Sequence, residues 1–172
     1  IVKDSVNKVE KTSTPDIVIA ADGPLSPTAK AFGFYHPERE NYYGIQATVE
    51  GQFEPHTIKT YFGDEVCPGL FAWVVPESST TARVGLATTK NSKQHFDKFM
   101  KEHNFVAKEI QAGAIPVYHP KQRLQHENCY LLGDASGYVK ATTLGGLVPA
   151  LKQAEILADC IIHGKKYEAA FS

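Results

Sequence analysis

Residues 129–147, CYLLGDASGYVKATTLGGL, set one acidic residue, Asp134, just beyond an apolar run. Small residues follow, and Gly145 and Gly146 stand immediately before a new helix-periodic stretch that opens at Leu147. A buried strand that delivers an aspartate to its carboxyl end, then a small-residue loop, then a helix start, can hold a polyhydroxylated or phosphorylated cofactor. The aspartate accepts hydrogen bonds from sugar-alcohol hydroxyls. Glycines let the backbone approach a ligand, and the N–H groups of a first helical turn favour an anion or a developing negative charge. The same residues also read as a tight turn at Asp134 and Gly137, with glycines that allow close helix packing, and spacing alone leaves both readings standing. GDASG is not a G-x-S-x-G nucleophile elbow, because Ser136 lies one position late and no histidine is assignable as its base.

Other chemistries lack their residues. Seven histidines are scattered without H-E-x-x-H or a ligand cluster, so no metal is expected. Cys67, Cys129 and Cys160 are odd in number, widely spaced and without a C-x-x-C, which reads as small hydrophobes in a reducing interior. A net charge of -1, with 22% charged and 42% hydrophobic residues, fits an ordinary globular protein and offers no basic face for nucleic acid. The longest apolar stretches, LFAWVVP and ILADCII, fall far short of the roughly 20 residues that cross a bilayer. IVKDSVNKVEKTS is charged where a signal peptide is apolar. A cytoplasmic protein is expected, with peripheral membrane contact left open.

Elements that position Asp134 can be read on both sides of it. DIVIAADGPLSPTAK gives a strand, a turn at Asp22, Gly23 and Pro24, then a short helix with Ser26 as cap and Pro27 at its first position. From Tyr42 the period becomes two: YYGIQATVEG, HTIKTYFG, LFAWVVPE and ARVGLATTK predict four antiparallel strands. SKQHFDKFMKEHN spaces Phe96, Phe99, Met100 and Phe105 for an amphipathic helix capped by Ser92 that covers the sheet. GAIPVYHPKQRL resumes extended structure and leads to a buried strand at Cys129 to Leu132. Leu147, Leu151, Ala154, Ala158 and Ile161 or Ile162 then follow helical spacing up to Gly164. The expected fold is a mixed α+β and α/β one. Residues 1–34 and 117–172 form one partial domain, and residues 35–116 form an antiparallel sheet with a covering helix.

Three stretches together carry a resemblance. YLLGDASGYVKATTLGGL resembles the Gly-Asp motif of FAD-dependent oxidoreductases related to geranylgeranyl reductase, most of all the archaeal branch. IVIAADGPLSPTAK resembles the family's Asp-Gly segment, and GLFAWVVPESSTTARVGLA its aromatic-x-Trp-x-x-Pro strand followed by a strand with Val-Gly. The motifs keep the family's order, from about residue 16 to 165. The resemblance implies that Asp134, preceded by Gly133, binds the ribityl side of FAD, and that Gly145, Gly146 and Leu147 pass close to the flavin ring. A reduced flavin carries negative charge near its pyrimidine carbonyl, which suits a helix start. Asp22 and Gly23 would shape the cofactor cleft, and the antiparallel substrate-domain sheet would be flanked by remnants of a Rossmann-like FAD-binding domain. Phe71, Trp73 and Pro76 would face the cavity for a long hydrophobic substrate, whereas Trp73 on spacing alone reads as a core aromatic.

The family begins with a strand and a G-x-G-x-x-G loop that cradles the FAD pyrophosphate, and these residues contain no such loop. The chain is therefore expected to be the C-terminal portion of a longer flavoprotein, partnered by the missing N-terminal FAD segment. Smaller departures are Lys30 for the commoner Arg, Ala141 for Pro and Leu144 for Gly. The implied reaction is reduction of carbon–carbon double bonds in an isoprenoid substrate. It needs positioning, exclusion of water and a proton source, and no catalytic side chain stands out. A flavin-dependent monooxygenase or halogenase is the second implication. A non-catalytic lipid- or partner-binding module is a third reading for the isolated chain, which is expected to be inactive.

Overall fold

The structure is a computed structural model that describes residues 2–4, 9–11, 14–35 and 39–171. The chain divides into two compact units: residues 1–37, 119–140 and 145–172, and residues 38–118 and 141–144.

The first unit contains strands β1 (Val2–Asp4) and β2 (Val9–Lys11), an antiparallel pair with Lys3 opposite Glu10 that the sequence reading did not assign. Its second sheet has the order β3-β10-β9, from β3 (Val18–Ala20), β10 (Cys129–Leu131) and β9 (Gln125–His126). β3 and β10 run parallel, with Ala20 opposite Leu131. Helix α1 (Pro27–Ala31) starts as the sequence implies: Ser26 Oγ accepts from the Ala29 N–H, and Pro27 opens the first turn, where a missing N–H costs nothing. Helix α3 (Leu147–His163) ends at Gly164, whose φ of 63° is the left-handed stop that favours glycine. Its buried stripe differs from the expected one. Gln153, Leu157 and Cys160 face inward, whereas Leu147, Leu151 and Ala158 are exposed. An apolar-only count misses Gln153, a polar side chain buried because it serves the backbone of the Asp134 turn.

The second unit is a five-stranded antiparallel sheet of order β5-β6-β7-β4-β8. Its strands are β4 (Asn41–Glu50), β5 (Lys59–Tyr61), β6 (Ala72–Pro76), β7 (Thr81–Thr88) and β8 (Ala107–Pro116). The four expected strands are present, and β8 is a fifth that pairs with β4 from Ala107 onward. Helix α2 (Ser92–Glu102) buries Phe96, Phe99 and Met100 against Ile45, Ala47, Val49, Val74, Val84 and Leu86. Burial of each phenylalanine contributes about 1.5–3 kcal/mol. Ser92 is the first helical residue and not the cap, a position held by Asn91. Phe105 lies beyond the helix end, stacked on His103 with an interplanar angle of 11°.

Candidate functional site

In the first unit, Asp22 and Asp134 both lie just past the carboxyl ends of adjacent parallel strands, where open α/β sheets place their ligands. Their side chains are differently employed. Asp22 accepts from Ser26 Oγ, and its second oxygen accepts from the Thr28 N–H at 3.1 Å. Burial pushes the Asp22 carboxyl upward, but the Ser26 and Thr28 hydrogen bonds more than offset it and hold the group below the ordinary carboxylate range. Asp22 thus fastens its own loop to the start of α1. Gly23, at φ 87°, makes the turn that only a residue without a side chain enters easily.

Asp134 sits in a short 3-10 turn, Gly133–Ser136, bounded by Gly133 at φ 61° and Gly137 at φ 70°. Gln153 from α3 holds this turn: its Oε1 accepts from the Gly133 N–H at 2.8 Å and lies 3.0 Å from Ser136 Oγ. Ser136 Oγ also donates to the Gly133 carbonyl at 2.6 Å, which commits its hydroxyl to the turn. Tyr167, fully buried, donates to the Leu131 carbonyl at 3.1 Å, and burial pushes its phenol well above the usual range. The corner that carries Asp134 is thereby braced on both sides.

Gly146 occupies the cap position of α3, and a Cβ added there would lie 2.7 Å from Asp134 Oδ1. The carboxylate therefore rests against the start of the helix, where the macrodipole favours negative charge. Gly145 accepts from the Lys140 N–H at 3.3 Å and closes the loop, and Leu147 is exposed at the first turn. Asp134, Gly133, Gly145, Gly146 and Leu147 are thus brought to one edge of one unit. Leu144 has φ 55° at a position where the resemblance expects glycine. The loop keeps that left-handed backbone although a leucine there costs about 1–2 kcal/mol.

Gly146→Ala is expected to displace the Asp134 carboxylate rather than the fold, because the far end of a short side chain can swing aside. Stability should fall by about 1 kcal/mol, with far-UV circular dichroism unchanged.

In the second unit, Trp73 is on the face of the sheet opposite α2. It pairs with Gly85, and a Cβ at Gly85 would lie 2.6 Å from Trp73 Cζ2, so the indole lies over the glycine. Phe71 meets Trp73 edge-on at 6.0 Å, and Phe62, missed in the sequence, joins them at 5.7 Å from Phe71. A cleft of about 280 Å³ on this face is lined by Gly44, Gln46, Trp73, Gln111, Gly113 and Ile115. Pro76 does not join it. Strand alternation puts Pro76 on the helix side, beside Val74, Tyr61 and Phe105 in a separate 180 Å³ recess. Helix α2 is likewise on the wrong side to wall the Trp73 cleft. Gln46 and Gln111, joined at 3.0 Å, are the polar residues of the cleft that the sequence reading passed over.

Among the described residues no group of three or more His, Cys, Asp and Glu is arranged to hold a metal ion, and no helix is long and apolar enough to cross a membrane. The three cysteines are free and buried, and burial pushes the Cys67 and Cys129 thiols up.

Comparison with known proteins places residues 41–117 in the geranylgeranyl reductase catalytic domain family. Digeranylgeranylglycerophospholipid reductase 2 of Methanothermobacter thermautotrophicus is 32% identical over 163 residues, 87% of this chain and 42% of that protein. The chloroplastic geranylgeranyl diphosphate reductase of Arabidopsis thaliana is 30% identical over 95% of this chain and 37% of its own length. The chain thus spans about two fifths of these relatives. Among solved structures, a geranylgeranyl bacteriochlorophyll reductase-like protein from Thermoplasma acidophilum superposes with a TM-score of 0.77 at 22% identity, covering 91% of this chain and 46% of that one. A flavin-dependent halogenase superposes at 0.63 with 18% identity, over 89% of this chain and 32% of its own, and shares the fold alone. Residues 41–117 thus match the geranylgeranyl reductase catalytic domain, and the chain as a whole is similar to the corresponding part of geranylgeranyl reductases.

Proposed function

We propose that this chain is the C-terminal portion of a flavin-dependent reductase that saturates carbon–carbon double bonds of isoprenoid chains. The observation that supports this reading best is the Trp73 cleft, an apolar trough floored by Gly44 and Gly113 inside the segment that matches the reductase catalytic domain. A long hydrocarbon needs a low apolar surface along its length, and Gly44 paired with Gly113 lowers this stretch, where the apolar tip of Ile115 lies over Gly44. Trp73 and Ile115 flank that floor with apolar surface and help exclude water.

The residues at the Asp134 edge fit FAD. Gly146 gives the Asp134 carboxylate room beside the start of α3, room that a Cβ would crowd at 2.7 Å, and a braced turn holds the carboxylate there. Asp134 would accept from the cofactor's sugar-alcohol chain, while Gly145, Gly146 and Leu147 would let the ring approach the start of α3. When bound, the flavin supplies hydride to the double bond. The chain's own contribution is to bind, orient and keep the alkene dry. The domain assignment follows: residues 1–34 and 117–172 serve the cofactor, and residues 35–116 serve the substrate.

The protein that carries this chain, supplied with FAD and dithionite, is expected to add hydrogen to geranylgeranyl chains, read by mass spectrometry. Asp134→Ala should weaken FAD binding about 10- to 100-fold, the scale of hydrogen bonds to a charged group. Full flavin affinity in that variant would remove the cofactor assignment, and unaltered isoprenoid chains with flavin bound would remove the reaction.

A further inference from the structure

The register of the sheet sorts the open face into rows. Trp73, Gly85, Gln46 and Gln111 line up across β6, β7, β4 and β8. On one side of this row, Gly44 and Gly113 are paired, and Ile115 reaches over Gly44. On the other side, roughly 7 Å along the strands, the row is Val75, Arg83, Thr48 and Glu109. The cleft therefore has an apolar floor and a single polar end, the amide pair in which Gln46 Nε2 donates to Gln111 Oε1 at 3.0 Å.

Two side-chain amides that share one hydrogen bond present one further carbonyl and one further amino group, whichever way each amide is turned. A hydroxyl matches both, since it donates and accepts. A phosphate only accepts, so it leaves the carbonyl facing an anion. The next row adds no cationic attraction, because Arg83 is bridged by Glu77 at 2.9 Å and feels Glu109 as well. Hydrocarbon laid across the amides would strip water from both groups without replacing their hydrogen bonds, at about 1–3 kcal/mol for each group, which disfavours a chain that continues past this row.

We propose that the Gln46–Gln111 pair is the specificity-determining end of the cleft, taking the uncharged oxygen of an isoprenoid alcohol while its hydrocarbon lies on Gly44, Gly113 and Ile115. The proposal rests on the reading of this cleft as the isoprenoid site and adds which end of the molecule is read, and by what.

Trp73 is the only tryptophan in the chain and lines the cleft, so its emission reports occupancy without flavin or turnover. The chain is titrated with geranylgeraniol, with the hydrocarbon that lacks its oxygen, and with geranylgeranyl phosphate. The alcohol is expected to bind about tenfold more tightly than the hydrocarbon, and the phosphate no more tightly than the alcohol. The double variant Gln46→Leu/Gln111→Leu removes both partners together and leaves no orphaned amide. It should erase the preference for the alcohol while hydrocarbon binding holds or improves. Gln111→Ala alone, at an exposed strand position, should lose part of the preference. An alcohol preference that survives in the double variant overturns the proposal, as does a phosphate that binds best. Emission that responds to none of the three ligands in the unmodified chain overturns the cleft reading itself and this proposal with it.

Discussion

Gly85→Ala is expected to cost about 1–3 kcal/mol of stability and to spoil the Trp73 cleft at the same time. An added Cβ would lie 2.6 Å from Gln46 Cβ, 2.6 Å from Trp73 Cζ2 and 2.7 Å from the Ile45 carbonyl oxygen. Two of these neighbours belong to the adjoining strand β4 at or next to its backbone, so they cannot rotate aside as a side-chain tip can. The indole has to lift off its strand partner, or β4 and β7 have to part where Gln46 faces Gly85. For a chain of this size each kcal/mol lowers the melting temperature by about 2–4 °C. The check is thermal unfolding followed by Trp73 emission, with isoprenoid titration on the folded variant. Gly113→Ala is the matched control: a Cβ there meets nothing within 4 Å, so its melting temperature should barely move. If Gly85→Ala melts with the unmodified protein and keeps its emission spectrum, the indole does not rest on Gly85.

That close contact also explains why the Val-Gly step of β7 was legible as part of a motif but not as geometry. Spacing shows a strand of alternating character, and only the cross-strand register reveals that Trp73 is the residue over the glycine. Strand parity was available from the sequence, since Phe71 and Trp73 are two apart and Pro76 three further on. Treating the aromatic-x-Trp-x-x-Pro run as a unit hid that its proline turns to the helix side. Strand β8 was legible only at its end, where GAIP reads as extended, and its earlier residues were hidden for a different reason. Most of Ala107–Pro116 is exposed on both faces, so Lys108, Glu109 and Gln111 interrupt the period-two pattern on which strand recognition depends. The ends of α1 and α3 were legible because caps are local chemistry: Ser26 and Pro27 open one, Gly164 closes the other.

The Asp134 edge divides in the same way. Its glycines and acidic residue are read directly, because positive φ and close approach leave few residue types to choose from. Asp22 is equally visible, yet its carboxylate is committed to Ser26 and Thr28, a role that its Asp-Gly pairing does not announce. Gln153 was invisible, lying nineteen positions beyond Asp134 on a helix and resembling any surface glutamine in sequence. Long-range polar bracing of this kind has no local pattern to betray it.

Gln153→Leu is therefore the sharper test of how Asp134 is held. Leucine fills the same buried space but leaves the Gly133 N–H without its 2.8 Å acceptor, at an expected cost of about 1–3 kcal/mol. The Gly133–Ser136 turn should loosen, so hydrogen exchange at the Gly133 amide should accelerate and flavin affinity should fall, although Gln153 is not among the residues assigned to touch the cofactor. Gln153→Glu separates shape from hydrogen bonding, because its carboxyl keeps an acceptor in place. The glutamate variant should therefore keep much of the Gly133 amide protection, whereas the leucine variant should lose it. Unchanged protection of the Gly133 amide in Gln153→Leu would mean that the turn stands by itself, and that Asp134 owes its position to Gly146 and the start of α3 alone.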